Sequence, residues 1–242
     1  MGQTVFQQIG HEVRRLPLLR DTTSTYAGIA ATLTQRLRTA SNPAAANAAW
    51  SNAQRALRNI ALRQYIQWKP ERYAGKSQIL SFDDRGLSFL YDVAFGSRGR
   101  NAFGRLVLVH SFSSYQPPST RDNSYHRSFP EREGFQKGHA IGHAGGGFEG
   151  GPNYFPQVQE LNQRRKQWPY GSLWRSIEEY LANNEGKFAF VRPIYREKND
   201  TDEPSHVEFG LIDPSLQTRV TEFPNTTLRG ATTPTGDTGS GS

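Results

Sequence analysis

The sequence predicts an α+β protein in which a helical segment (residues 1–75) precedes a strand-rich domain (76–224) and a flexible tail (225–242). Three observations carry this. Alanine and larger apolar residues recur at spacings of three and four after Pro43, the period of an amphipathic helix. From Ile79 onward the apolar residues come instead in short runs bounded by glycine and polar residues, as strands do. One further helical stretch, 172–183, interrupts those runs.

A first helix is expected over 24–39, ending near Ser41-Asn42-Pro43. Asn42 suits an N-cap and Pro43 the first turn of the next helix. In that helix Ala44–Ala49, broken only by Asn47, leads into Trp50, Ala53, Leu57, Ile60 and Ala61. The pair forms an αα-hairpin, either packed on the following domain or serving as a docking module. Arg55, Arg58 and Arg63 fit a solvated face or a surface for nucleic acid or a partner. The composition shift at 69–76 marks the boundary. Strands are expected at 87–91 and 105–109, with a basic turn at 96–100 between them. From 111 to 133 the chain is polar and irregular, with Pro117-Pro118 and Arg121, Arg127 and Arg132, and loops of that length are often functional. In the helix at 172–183, Leu173, Ile177 and Leu181 share a face, Ser172 suits the cap and Asn183-Asn184-Glu185-Gly186 the stop. Strands at 187–194 and 206–212 follow, separated by an acidic loop, and the glycine- and threonine-rich end has no means of burying surface.

Composition narrows the function. A net charge of +7 and a pI near 9.8 favour a polyanionic partner such as nucleic acid, with solubility as the bland alternative. The 14 Phe, 10 Tyr and 4 Trp can build a core despite a mean hydropathy of −0.70. The absence of cysteine excludes disulfide scaffolds, thiolate metal sites and cysteine nucleophiles. No apolar run approaches the roughly 18 residues of a membrane span, so no membrane partner is expected. The first twenty residues lack the apolar core of a secretory signal, so either export is expected to use another route, such as a dedicated secretion or injection system, or the chain is a fragment, and localisation stays open.

The chemistry is expected between Gln136 and Gln163, a span holding seven glycines, two histidines and two asparagines. A segment so polar is expected to add little to a core. Its glycines suit a backbone that turns sharply or approaches a ligand. His139 can carry a proton at neutral pH. Asn162, expected to open a helix, offers a hard neutral oxygen to a cation such as Mg2+. His139 and His143 stand four apart, a zinc spacing on a helix, but the surrounding glycines disfavour a helix. A hydrogen bond within the loop is the reading favoured for His143, with substrate contact as another. His11, His110, His126 and His206 have no such context and read as structural or surface residues.

The blocks Lys137-Gly138-His139, Gly145-Gly146-Gly147, Asn153-Tyr154-Phe155-Pro156-Gln157, Leu161-Asn162-Gln163 and Trp174-Arg175-Ser176-Ile177-Glu178 follow one another in that order. Over roughly residues 80–212 the chain thereby resembles the DNA/RNA non-specific endonucleases of the ββα-metal (His-Me finger) type. The resemblance implies a ββα-metal nuclease core with an antiparallel sheet and flanking helices. It implies hydrolysis of phosphodiester bonds in DNA and RNA with little sequence preference, dependent on Mg2+ or another divalent cation such as Mn2+. His139 would be the general base and Asn162 the metal ligand. Glu178, or Glu179, would hold a metal-bound water. Lys137 takes the place of the family's arginine. Asn153 would fix the loop or orient His139, with a plain turn role as the alternative. Arg127, Arg132, Arg164 and Arg165 would bind substrate beside the groove. Gln136 and Lys137 replace the family's Asp and Arg, and the step from Asn162 to the helical Glu is longer. These departures support the alternative of a degenerate nucleic-acid-binding protein on the same fold. Family members include scavengers, DNA-uptake enzymes and delivered toxins, and a delivered toxin would require an immunity protein as partner.

Overall fold

The structure is a computed structural model that describes residues 23–68, 79–93, 104–124, 134–163, 169–196, 199, 201–214 and 218–226. The basic turn at 96–100, the boundary at 69–76, Arg127, Arg132, Arg164, Arg165, His11, His126 and the end of the tail lie outside those residues.

Helices α1 (Thr23–Thr39) and α2 (Pro43–Trp68) form the expected hairpin. The Ala45 N–H donates to Asn42 Oδ1 at 2.9 Å, so Asn42 caps α2. Alanines make the buried stripe of α2 shallow: Ala49, Ala53, Leu57, Ala61 and Tyr65, every fourth residue, lie inward. That stripe and Tyr26, Ile29 and Leu33 of α1 bury against Leu90, Val107, Leu108, Phe188, Phe190 and Val220. The hairpin is therefore packed on the domain. Two buried polar bonds add direction to the packing. Tyr26 donates to Glu208, which Arg192 also pairs, and Tyr65 donates to Asp92 Oδ2 at 2.7 Å. Arg55 and Arg63 are exposed, while Arg58 reaches Ser81 Oγ at 3.1 Å.

The apolar residues that meet the hairpin belong to an antiparallel sheet. Its strands are β1 (Ile79–Asp84), β2 (Leu87–Asp92), β3 (Arg105–Phe112), β6 (Phe188–Ile194), β7 (His206–Ile212) and β8 (Arg219–Pro224), in the order β1-β2-β3-β6-β7-β8. Alternation along β6 explains how the sheet separates two cores. Phe188 and Phe190 face the helical hairpin, and Ala189 and Val191 face the opposite side. On that opposite side lie a separate antiparallel pair, β4 (Phe135–His139) and β5 (Tyr154–Val158), the single turn α3 (Gln159–Asn162) and helix α4 (Pro169–Asn183).

Four expectations change. The segment 136–163 contributes heavily to the core, through Ala140, Ile141, Phe148, Phe155, Val158 and Leu161. Its glycines serve close packing of the chain on itself: a Cβ on Gly147 would stand 1.8 Å from the Ile141 carbonyl oxygen. Asn162 ends the turn α3 and does not open a helix. Helix α4 begins at Pro169, which suits a first-turn position, so Ser172 lies inside the helix, where its carbonyl accepts from Ser176 Oγ. Asn225, the first residue of the expected tail, is buried and ties β5 to the rest through Val158 N–H and the carbonyls of Pro156 and Pro204. Among the described residues no helix is long and apolar enough to cross a membrane.

His110 is buried on β3 against the ring of Phe188. Burial, aided by the charge of Arg58 and opposed by Asp83, pushes its imidazole down to about 4 from an ordinary 6.5. Between those values the unfolded chain takes up a proton that the folded chain refuses, so stability falls as pH drops through this window and the loss is complete below about 4. The expected span is on the order of a few kcal/mol. Urea midpoints between pH 4 and 7 should show a shallower slope for His110→Leu than for wild type. Parallel slopes would mean that His110 is protonated equally in both states.

Candidate active site

Chain reversal between β4 and β5 is what aims His139. It is the last residue of β4 and pairs with Tyr154, the first of β5, with their rings 4.6 Å apart. The intervening loop is held by Asn153, which is wholly buried. Its backbone carbonyl accepts from Ala140 N–H at 2.8 Å. Its side chain accepts from Ile141 N–H and donates to the carbonyls of Ile141 and Phe148, each at 3.0 Å. Of the roles open to Asn153, the geometry matches fixing the loop.

Behind the imidazole stands a residue that the sequence reading missed. Glu149 is buried and accepts from His139 Nε2 at 2.8 Å, Arg121 Nε at 2.7 Å and the Tyr154 hydroxyl. Burial works to raise its carboxyl, but the hydrogen bonds and charges of His139 and Arg121 outweigh it and bring it down to about 2. The signal in the sequence is that Glu149 is the sole acidic residue between His139 and Asn153.

In front of His139 opens a cleft of about 300 Å³. His139, Arg121, Asn162, Arg175, Glu178 and Glu179 line it, with Tyr115 among the remaining wall residues. Helix α4 delivers Glu178 to this wall because Gly142 gives way: a Cβ there would lie 2.9 Å from Glu178 Oε1. Glu178 accepts from Trp174 Nε1 at 3.2 Å and from Arg175 at 2.9 Å. Burial raises its carboxyl, against the lowering influence of Arg175, Trp174, His139 and Arg121. Asn162 arrives from α3, which α4 approaches so closely that a Cβ on Gly171 would meet the Glu160 carbonyl at 2.4 Å. The Asn162 amide donates to Gln136 Oε1 at 2.9 Å, which fixes its orientation.

Of the residues singled out in the sequence, then, His139, Asn162 and Glu178 meet at one cleft and Asn153 braces it. Lys137 is buried within β4 and is not among the cleft-lining residues. His143 also borders the cleft, with its Nε2 at 3.1 Å from Thr120 Oγ1 and 3.2 Å from the Pro117 carbonyl, a hydrogen bond to the preceding loop. His139 ends a strand and His143 starts a single 3-10 turn, so the helical spacing needed for a zinc pair does not arise. Among the described residues no three His, Asp or Glu side chains gather as a metal cluster. Asn162 and Glu178 bring one amide oxygen and one carboxylate to the lining of this cleft.

Fold and site thus define an α+β protein with an antiparallel sheet and a polar cleft built around a histidine. A solved structure, NucA from Streptococcus agalactiae with magnesium ion bound, is similar at 18% identity and a TM-score of 0.31, covering 63% of this chain and 74% of that one. No protein-family model matches the chain. No curated protein matches it.

Proposed function

We propose that the chain is an endonuclease of the ββα-metal type that hydrolyses DNA and RNA phosphodiester bonds with a divalent cation. The observation that carries this reading is the convergence of His139, Arg121, Asn162 and Glu178 on one cleft from four separate segments. His139 takes the proton from the attacking water. Arg121 and Arg175 supply positive charge to the scissile phosphate. The Asn162 amide oxygen would hold Mg2+ or Mn2+, and Glu178 would accept hydrogen bonds from its waters. When bound, the cation would neutralise charge on the phosphate and on the leaving oxygen. These groups address the phosphate, which every sequence shares, so little base preference is expected.

The Arg175–Glu178 ion pair favours a second reading, a nucleic-acid-binding protein without turnover, because it engages the carboxylate that the first reading assigns to metal-bound water. Supercoiled plasmid separates the two. Nicking with Mg2+ and none with EDTA supports the nuclease; binding without nicking under either condition supports the second reading. Asn162→Ala should lower the nicking rate, and raised Mg2+ should restore part of it. A Mg2+ dependence identical to that of wild type would remove Asn162 from the cation site.

A further inference from the structure

Proton abstraction by an imidazole requires one ring nitrogen to be unprotonated and aimed at water, so what holds the other nitrogen decides whether the base is ready. Here that holder is a carboxylate with two further donors. Glu149 takes His139 Nε2, Arg121 Nε and the Tyr154 hydroxyl. We propose that Glu149 is a positioning residue that sets the base and the phosphate clamp together, holding His139 as the Nε2–H tautomer and locking Arg121 by its Nε. This rests on the nuclease reading for what the two partners then do.

The chemistry of the contacts leads to this assignment. An ionised carboxylate only accepts hydrogen bonds, so at 2.8 Å Nε2 must carry the proton. A neutral ring with Nε2–H has its lone pair on Nδ1, which becomes the proton-accepting nitrogen. Once the ring has taken the proton, its positive charge faces the same buried carboxylate. Arg121, paired to Glu149 directly, favours its ionised form, while Glu178 at the cleft wall is offset by its own partner Arg175. The third donor, Tyr154, comes from the strand paired with β4. Arg121, with Nε committed, keeps its two terminal amino groups for a phosphate, and its side chain remains 43% exposed. A purely structural Arg121–Glu149 ion pair would predict none of the consequences for His139.

The test reads the imidazole directly. In 15N-labelled protein near neutral pH, long-range proton–nitrogen correlations should show His139 as Nε2–H, with His139→Ala identifying its signals. Glu149→Gln can both donate and accept at Nε2, so the single tautomer should be lost. With Mg2+ and plasmid, kcat should fall about 10²–10⁴-fold, since a base in the wrong tautomer cannot act. Glu149→Asp keeps the charge and should recover part of the loss. An Nδ1–H tautomer in wild type, or a Glu149→Gln protein with both tautomer and kcat unchanged, would overturn the assignment. If Glu149→Gln does not fold, the wild-type tautomer decides. If wild type does not cleave nucleic acid, the nuclease reading falls, while the tautomer still upholds or overturns the positioning role.

Discussion

Replacing His139 with alanine is expected to reduce plasmid nicking by about 10²–10⁴-fold, with little change in DNA affinity. The two effects separate because the imidazole acts in the chemical step, whereas affinity for nucleic acid comes chiefly from lysine and arginine against phosphate. The structure adds a reason to expect a clean result. His139 ends β4 at the cleft, so truncating it removes a side chain from a strand end and leaves the β4–β5 pairing in place. Glu149 keeps Arg121 and Tyr154 as partners in that variant. Nicking rates and equilibrium binding measured on the same preparation decide the matter. A His139→Ala protein that nicks at the wild-type rate would remove His139 from the chemistry.

The second large effect is expected at Asn153, and it falls on stability first. Alanine there leaves Ile141 N–H and the carbonyls of Ile141 and Phe148 without their buried partner. Each such group costs about 1–3 kcal/mol, so a loss of about 3–5 kcal/mol is expected after partial relaxation. Gly147, packed onto the Ile141 carbonyl, leaves that part of the loop little room to relax. Asn153→Asp should be at least as damaging, because it keeps the acceptor for Ile141 N–H but sets negative charge against two carbonyls. Urea unfolding of both variants measures the cost. A stability within about 1 kcal/mol of wild type combined with lost cleavage would instead make Asn153 part of the reaction.

How far the site could be read in one dimension depended on what each residue needed from its neighbours. His139, Asn162 and Glu178 were legible because they sit in ordered blocks along the chain. Glu149 was not, because its importance comes from Arg121, 28 residues earlier, and from His139, at the far end of a loop whose course no alternation announces. Strand β4 reads Phe-Gln-Lys-Gly-His, and both Lys137 and His139 in it are buried, so hydropathy hides it. The glycine-rich loop misled for the opposite reason. Absence of side chains resembles solvent exposure in composition, yet here it lets the chain pack closely on itself, as at Gly147 against the Ile141 carbonyl.

The amino-acid sequence by itself determined the helical hairpin, its asparagine cap, the strands expected at 87–91, 105–109, 187–194 and 206–212, of which the second runs on to Phe112, and the presence of helix α4. Those features depend on period, capping chemistry and turn residues, all of which act within a few positions. Only the tertiary structure decided that the hairpin is seated on the sheet through Tyr26 and Tyr65, that Lys137 is buried and outside the cleft lining, and that a carboxylate stands behind the histidine. Each of these depends on how separate segments pack, and side-chain contacts such as Tyr26–Glu208 and Tyr65–Asp92 acquire their energy only when burial removes water from both partners.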